Sequence, residues 1–333
     1  MYLEWNAGIM RFLPLVKNKM SVNGLVVVFS VVATFLCSPS IAVQSAELLV
    51  LYPDVQAPFS KIFEDIVSGT EEGFGDDTSS QSMGEGVSAS KVLRKKKPDV
   101  VLALGRGGLK SLEGVDNNVP VVLGAVSAQQ YEFPDISMVP DPKVILDKLL
   151  LLSPSVGRIH VVKKAKGSDL QLDGAAKYLA SVNKELIVYQ SMDLREAANI
   201  YARLIDEAND GDAIWILQDG SYVNSAIFSL LLDAAWSKNL IVFSSNPLHV
   251  KHGALFAVYP DNKNMGVSLG RLANKVLKGG VEPGMQTLQD TLLAVNERTS
   301  NHLGLSLSKE VKENVDLLLP VNIDAGAYGE ESF

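Results

Sequence analysis

From Leu48 onward, short uninterrupted apolar runs alternate with stretches whose apolar residues recur at helical spacing. Leu48-Leu-Val-Leu-Tyr52 is stopped by Pro53-Asp54. Phe59, Ile62, Phe63, Ile66 and Val67 then fall three or four apart, which predicts a helix over 59–67. Residues 69–85, rich in Gly, Ser and acids, read as a loop. A second helix over 87–97 closes at Pro98, and Val100-Val-Leu-Ala-Leu104 is a buried strand. Gly105-Arg106-Gly107-Gly108 turns into a helix over 109–112, and 119–123 is the next strand. The proline-rich stretch 133–142 reads as a crossing. Beyond it the alternation resumes. Helices are expected at 144–152, 172–182, 196–208 and 226–238, and strands at 158–162, 186–189, 213–217 and 240–244. Apolar runs of this length, separated by helices, are the pattern of parallel strands buried on both faces in βαβ units. Two such sets predict an α/β protein of two doubly wound parallel-sheet lobes.

Parallel sheets take ligands at the carboxyl ends of their strands. The loops there nominate Tyr52, Gln56, Arg106, Gly107 and Ser127 in the first set. In the second they nominate Lys163, Gln218, Asp219, Ser245 and Asn246. Tyr52 ends its strand, where an aromatic ring is placed either to cover a ligand or to finish the core. The glycines around Arg106 allow close backbone approach, so the turn is either an anion contact or a plain tight turn.

The residues before Leu48 follow a different pattern. Arg11, Lys17 and Lys19 precede an apolar run over 25–36, and small residues follow up to Ala46. Basic, apolar, small is the order of a secretory signal peptide. The run is short of the roughly 20 residues a membrane span needs. A cleaved leader over 1–46 and an exported, periplasmic chain are therefore expected, the alternative being an uncleaved anchor. Cys37, the chain's single cysteine, falls inside that leader, which leaves no thiol for a disulfide or a multi-cysteine metal site.

The 333 residues are enough for one large or two medium domains. The net charge is −8, and no basic stripe is present, which argues against a nucleic-acid partner. No cofactor or metal is expected. His249 and His252 are three apart, but no third ligand is near in sequence. The two Ser-x-x-Lys spacings, Ser88 to Lys91 and Ser306 to Lys309, lack the partner motifs of serine acylases. The chain is not expected to be an enzyme.

The most specific pattern lies in the second half. It runs through 212–219, 240–245 and Val250-Lys-His-Gly-Ala-Leu-Phe-Ala-Val-Tyr-Pro-Asp261. Met265-Gly266, Gly270-Arg271, Leu277-Lys-Gly-Gly280 and Leu293-Ala-Val-Asn296 follow. This order resembles the ABC-transporter substrate-binding protein family that includes tryptophan- and tyrosine-binding members, over roughly 47–320. The resemblance implies the type I periplasmic-binding fold, with three crossings between lobes near 139–141, 258–261 and 286–292. The lobes would be 47–140 with 262–288, and 141–261 with 289–333. A helix over 264–277 would return to the first lobe, with Gly266 and Gly270 as a small-residue stripe for close packing. The implied function is capture of a small solute, carboxylate-bearing or an amino acid, for an inner-membrane ABC permease or a membrane sensor. The alternative is a periplasmic enzyme on the same scaffold. Where the family usually has acids at two strand ends, this chain has Ala128 and Asn246, and it gains Arg106. An anionic ligand group held mainly by Arg106 is therefore expected.

Overall fold

A computed structural model describes residues 46–320, apart from 76, 116–117, 128–130, 167–169 and 219–221. The expected leader lies outside these residues except for Ala46. The chain first lays down β1 (Leu48–Pro53), α1 (Phe59–Phe74), β2 (Thr78–Met83) and α2 (Ala89–Lys96). It continues with β3 (Val100–Leu104), α3 (Gly105–Ser111), β4 (Val121–Val126) and β5 (Pro134–Pro140). The second lobe takes α4 (Pro142–Leu152), β6 (Arg158–Lys164), α5 (Leu170–Ser181), β7 (Glu185–Ser191) and α6 (Leu194–Glu207). It adds β8 (Ala213–Ile216), α7 (Ser225–Lys238), β9 (Ile241–Ser244), α8 (Pro247–His252) and β10 (Phe256–Pro260). Then α9 (Asn262–Leu277) and β11 (Gly284–Leu288) return to the first lobe. Finally β12 (Thr291–Asn296), α10 (Glu297–His302), α11 (Lys309–Glu313) and β13 (Leu317–Leu319) complete the second.

Among the described residues, the first sheet has the order β11-β5-β4-β3-β1-β2 and is parallel throughout. The second has the order β13-β12-β10-β9-β8-β6-β7, with β12 antiparallel to β10 and its other pairs parallel. The two parallel-sheet α/β lobes read from the sequence are thus present. Leu48 to Leu51, Val100 to Leu104 and Ala213 to Ile216 are fully or almost fully buried, as uninterrupted apolar runs require.

The chain passes between the sheets three times. It leaves β5 for α4 at Asp141, leaves β10 for α9 at Asp261, and leaves β11 for β12 at Gln289–Asp290.

Three local expectations are corrected. Residues 69–85 are not a loop: α1 runs on to Phe74 and Thr78–Met83 is a strand. That strand is polar because it is an edge, paired on one side to β1 and half-exposed, so no apolar run marks it. The proline-rich stretch 133–142 contains β5 before it crosses, with Pro134 and Pro140 at the strand's ends, where a missing N–H is tolerated. Helix α3 begins at Gly105, not at 109. Gly105 has φ +61°, a conformation open to glycine, and it turns strand directly into helix.

The helix over 264–277 does return to the first lobe, as α9 packed on α1. A Cβ added at Gly266 would meet the Ile66 carbonyl oxygen at 2.1 Å, and one at Gly270 would meet the Thr70 carbonyl oxygen at 2.6 Å. Gly69 and Gly73 of α1 are equally tight, at 1.9 Å from the Lys263 carbonyl oxygen and 2.2 Å from that of Val267. The two backbones are in contact because glycine lines both sides of the seam. The second lobe is closed differently. Trp215 on β8, Phe243 on β9 and Phe256 on β10 share one register and stack, with centroids 5.8 and 5.0 Å apart.

Candidate functional site

The crossings orient both sheets. Strands β5 and β10 leave their sheets at their carboxyl ends and enter the crossings at once, so the carboxyl edge of each sheet borders the space between the lobes.

On the first lobe this edge runs from β4 through β3 to β1. Tyr52 sits near the end of β1 and stacks on Phe63 of α1, with centroids 6.4 Å apart and planes 20° apart. The pair borders a depression of about 190 Å³, completed by Asp54, Ser60, Glu64 and Ser82. Gln56 is exposed, and its backbone oxygen accepts from the Phe59 and Ser60 N–H groups, which starts α1. Arg106 is exposed in the first turn of α3. The glycines after it are needed for packing. A Cβ on Gly107 would lie 2.7 Å from Pro53 Cβ, and one on Gly108 would lie 2.6 Å from the Leu51 carbonyl oxygen. Ser127 is exposed at the end of β4, its Oγ 3.3 Å from the Tyr131 hydroxyl. So Tyr52, Gln56, Arg106, Gly107 and Ser127 share one sheet edge, with Phe63 and Asp54 beside them.

On the second lobe the corresponding edge runs from β9 through β8 to β6. Lys163, near the end of β6, is only 7% exposed, which is rare for lysine. Gln218 is exposed just after β8, and Asp219 lies outside the described residues. Ser245 follows β9 and is buried, and its Oγ has no hydrogen-bond partner among the described residues. Asn246 is exposed and already has structural work: its Oδ1 accepts from Leu248 N–H at 3.0 Å and caps α8.

Sequence reasoning missed Phe63, Glu64 and Ser60 as lining residues. All three belong to the first turns of α1, and asking which helical side chains reach Tyr52 would have found them. Ser82 was missed with its strand. His249 packs tilted against Phe228 with centroids 4.4 Å and planes 33° apart, and burial holds its ring below the usual histidine range. His252 Nδ1 lies 2.7 Å from its own helix's Leu248 oxygen. Among the described residues no cluster of acids, histidines or cysteine has the makings of a metal site.

Two larger depressions, of about 280 and 360 Å³, share Lys251, Asn296 and Arg298. Asn296 ends β12, which runs antiparallel to β10, so these depressions open at the edge of the second sheet away from the crossings. Size therefore does not single out the interlobe edge; topology does. No helix among the described residues is long and apolar enough to cross a membrane.

The fold has solved counterparts. The ligand-free, open form of a substrate-binding protein with adhesive properties from Clostridium difficile is 17% identical, with a TM-score of 0.60. That likeness covers 82% of this chain and 99% of that one. An ABC domain from Streptococcus pneumonia in complex with L-Trp is 18% identical with a TM-score of 0.53, covering 83% and 100% of the two chains. At these identities the likeness establishes the fold, which is of the type I periplasmic-binding kind. No curated protein matches the chain. The model of the ABC transporter substrate binding protein family matches residues 64–316, most of the sequence and both lobes. This chain belongs to the ABC transporter substrate-binding protein family.

Proposed function

We propose that this protein captures a small anionic solute between its lobes in the periplasm and presents the closed form to an inner-membrane ABC permease or a membrane sensor. The observation that carries the reading is the facing of two carboxyl edges across three crossings. Residues 47–140 with 262–288, and 141–261 with 289–333, act as the two moving units. In the first unit, Tyr52 and Phe63 offer an aromatic platform and Arg106 an exposed guanidinium. In the second, Lys163, Gln218, Asp219, Ser245 and Asn246 close over the ligand. A planar guanidinium suits a carboxylate because it pairs with two oxygens at once. Binding energy from both rims favours the closed form over the open one, and that difference drives closure.

The test is mass spectrometry of the small molecule that co-purifies, followed by calorimetry with it. A carboxylate or other anion bound at one site per chain supports the reading. Conversion of that molecule to a product would favour a periplasmic enzyme on the same scaffold instead. Purification without any ligand, together with no binding across a panel of organic acids and amino acids, would sink it.

A further inference from the structure

The crossings are tied to one another by carboxylates. Asp141 sits in the first crossing and caps α4, its Oδ1 accepting from Lys143 N–H at 2.8 Å. Its other oxygen faces the last strand of the first lobe and the crossing that follows that strand. Oδ2 accepts from Thr287 Oγ1 at 2.5 Å and from Gln289 Nε2 at 3.0 Å, at the end of β11 where the third crossing begins. The Asp141 N–H donates to the Leu288 oxygen at 2.8 Å, so backbone and side chain hold the same neighbour. Asp290 makes the matching tie between the third and second crossings. Its backbone oxygen accepts from Asp261 N–H at 3.0 Å, and its Oδ2 accepts from Ser268 Oγ of α9 at 2.6 Å.

We infer that Asp141 is a positioning residue: one carboxylate clasps the first helix of the second lobe to the last strand of the first, and so sets the resting angle between the lobes. The geometry supports this division of labour. One oxygen is spent on the helix cap and the other on the strand, so rotating α4 against β11 must stretch or break the second set of bonds. Hydrogen bonds to a charged acceptor are stronger than neutral ones, which makes this a stiff joint in a short strap. Thr287 is half-buried and Gln289 exposed, so removing their donors leaves both cores and the α4 cap untouched. The clasp bears on solute affinity only through the reading that the lobes close on a ligand. A resting angle farther from the closed one lowers the fraction of competent protein and weakens apparent binding by that fraction.

The experiment measures the lobes without any ligand. Spin labels are placed at exposed Lys95→Cys on α2 and Lys177→Cys on α5, with Cys37→Ser so that only introduced thiols react. Pulsed electron-spin distance distributions are compared for this parent and for Thr287→Val/Gln289→Leu. The expected result is a broader distribution with a displaced mean, restored by Thr287→Ser with Gln289 kept. A purely structural role would shift melting and leave the distances of the folded protein unchanged. A double variant that folds and gives the parent distribution overturns the clasp. Gln289→Leu alone, at an exposed position, covers a double variant that does not fold: a smaller broadening supports the clasp and the parent distribution overturns it. Failure to find any solute would sink the proposed function without touching these distances.

Discussion

The two lobes share one sheet architecture and solve their interior problems in opposite ways. The first lobe closes α1 and α9 backbone to backbone, on glycine, whereas the second stacks aromatic rings across β8, β9 and β10. Their buried acids differ as sharply. Asp135 in β5 is 0% exposed, lies in register with Leu123 and Met285, and has no hydrogen-bond partner among the described residues. Burial pushes its carboxyl up to about 7. Asp212 in the second lobe is also buried, but it takes both Nε and Nη2 of Arg158 and the N–H of Asn209. Burial works against its charge, yet those donors hold its carboxyl below the usual range. Desolvation acts on both acids; the partners decide the sign.

The glycine seam is the sharpest place to break the comparison. Gly266→Ala/Gly270→Ala forces two methyl groups into the α1 backbone. It should cost about 3–5 kcal/mol by denaturant unfolding, beyond anything recovered from alanine's helix propensity. Gly157→Ala in the second lobe, where a Cβ meets nothing within 4 Å, should be close to neutral. A seam variant as stable as the parent would mean that the helices separate at little cost.

The acids come next, with opposite expectations. The folded value of Asp135 lies above its unfolded one. Its contribution is therefore fully present below about pH 4 and is lost as pH rises toward about 7. Asp135→Asn should then stabilise the protein at pH 8 by about 2–4 kcal/mol and flatten that part of the pH profile. Asp212→Asn should destabilise by about 2–3 kcal/mol at pH 8, because Arg158 and the Asn209 N–H lose a charged acceptor. Its parent contribution is present above the ordinary carboxylate range and is lost as pH falls through its lowered folded value. Chemical denaturation across pH 4–8 reads the sign of both variants and the loss at Asp135, and its extension below pH 4 reads the loss at Asp212. The same sign for the two variants would refute the contrast.

The rims give the smallest effect. Arg106 is exposed on the first lobe, while Lys163 is buried on the second. Arg106→Ala should weaken solute binding about ten- to a hundred-fold without changing stability, with partial recovery in Arg106→Lys. Calorimetry and melting on the same samples separate the two. Unchanged affinity would leave the glycine turn as packing alone.

Much of this fold is legible in the sequence because its central strands are buried on both faces. Val100 to Leu104 and Ala213 to Ile216 carry that burial as unbroken apolar runs. Gly266 and Gly270 announce close packing because glycine in a helix is otherwise costly. What is illegible depends on neighbours far along the chain. Thr78–Met83 is a strand only because β1 offers a free edge, and nothing in Thr-Ser-Ser-Gln-Ser-Met records it. Asp135 sits one residue after a proline in a stretch that reads as a crossing, and only the pairing of β5 between β4 and β11 buries it. The site is legible by position, since strand ends can be counted. It is not legible by role: nothing in the sequence records that the Asn246 oxygen also caps α8.

Small-angle scattering with and without the co-purifying solute tests the central claim most directly. If the carboxyl edges close over a ligand through the three crossings, saturating solute reduces the radius of gyration. A saturated protein whose scattering curve matches the ligand-free one would contradict capture between the lobes.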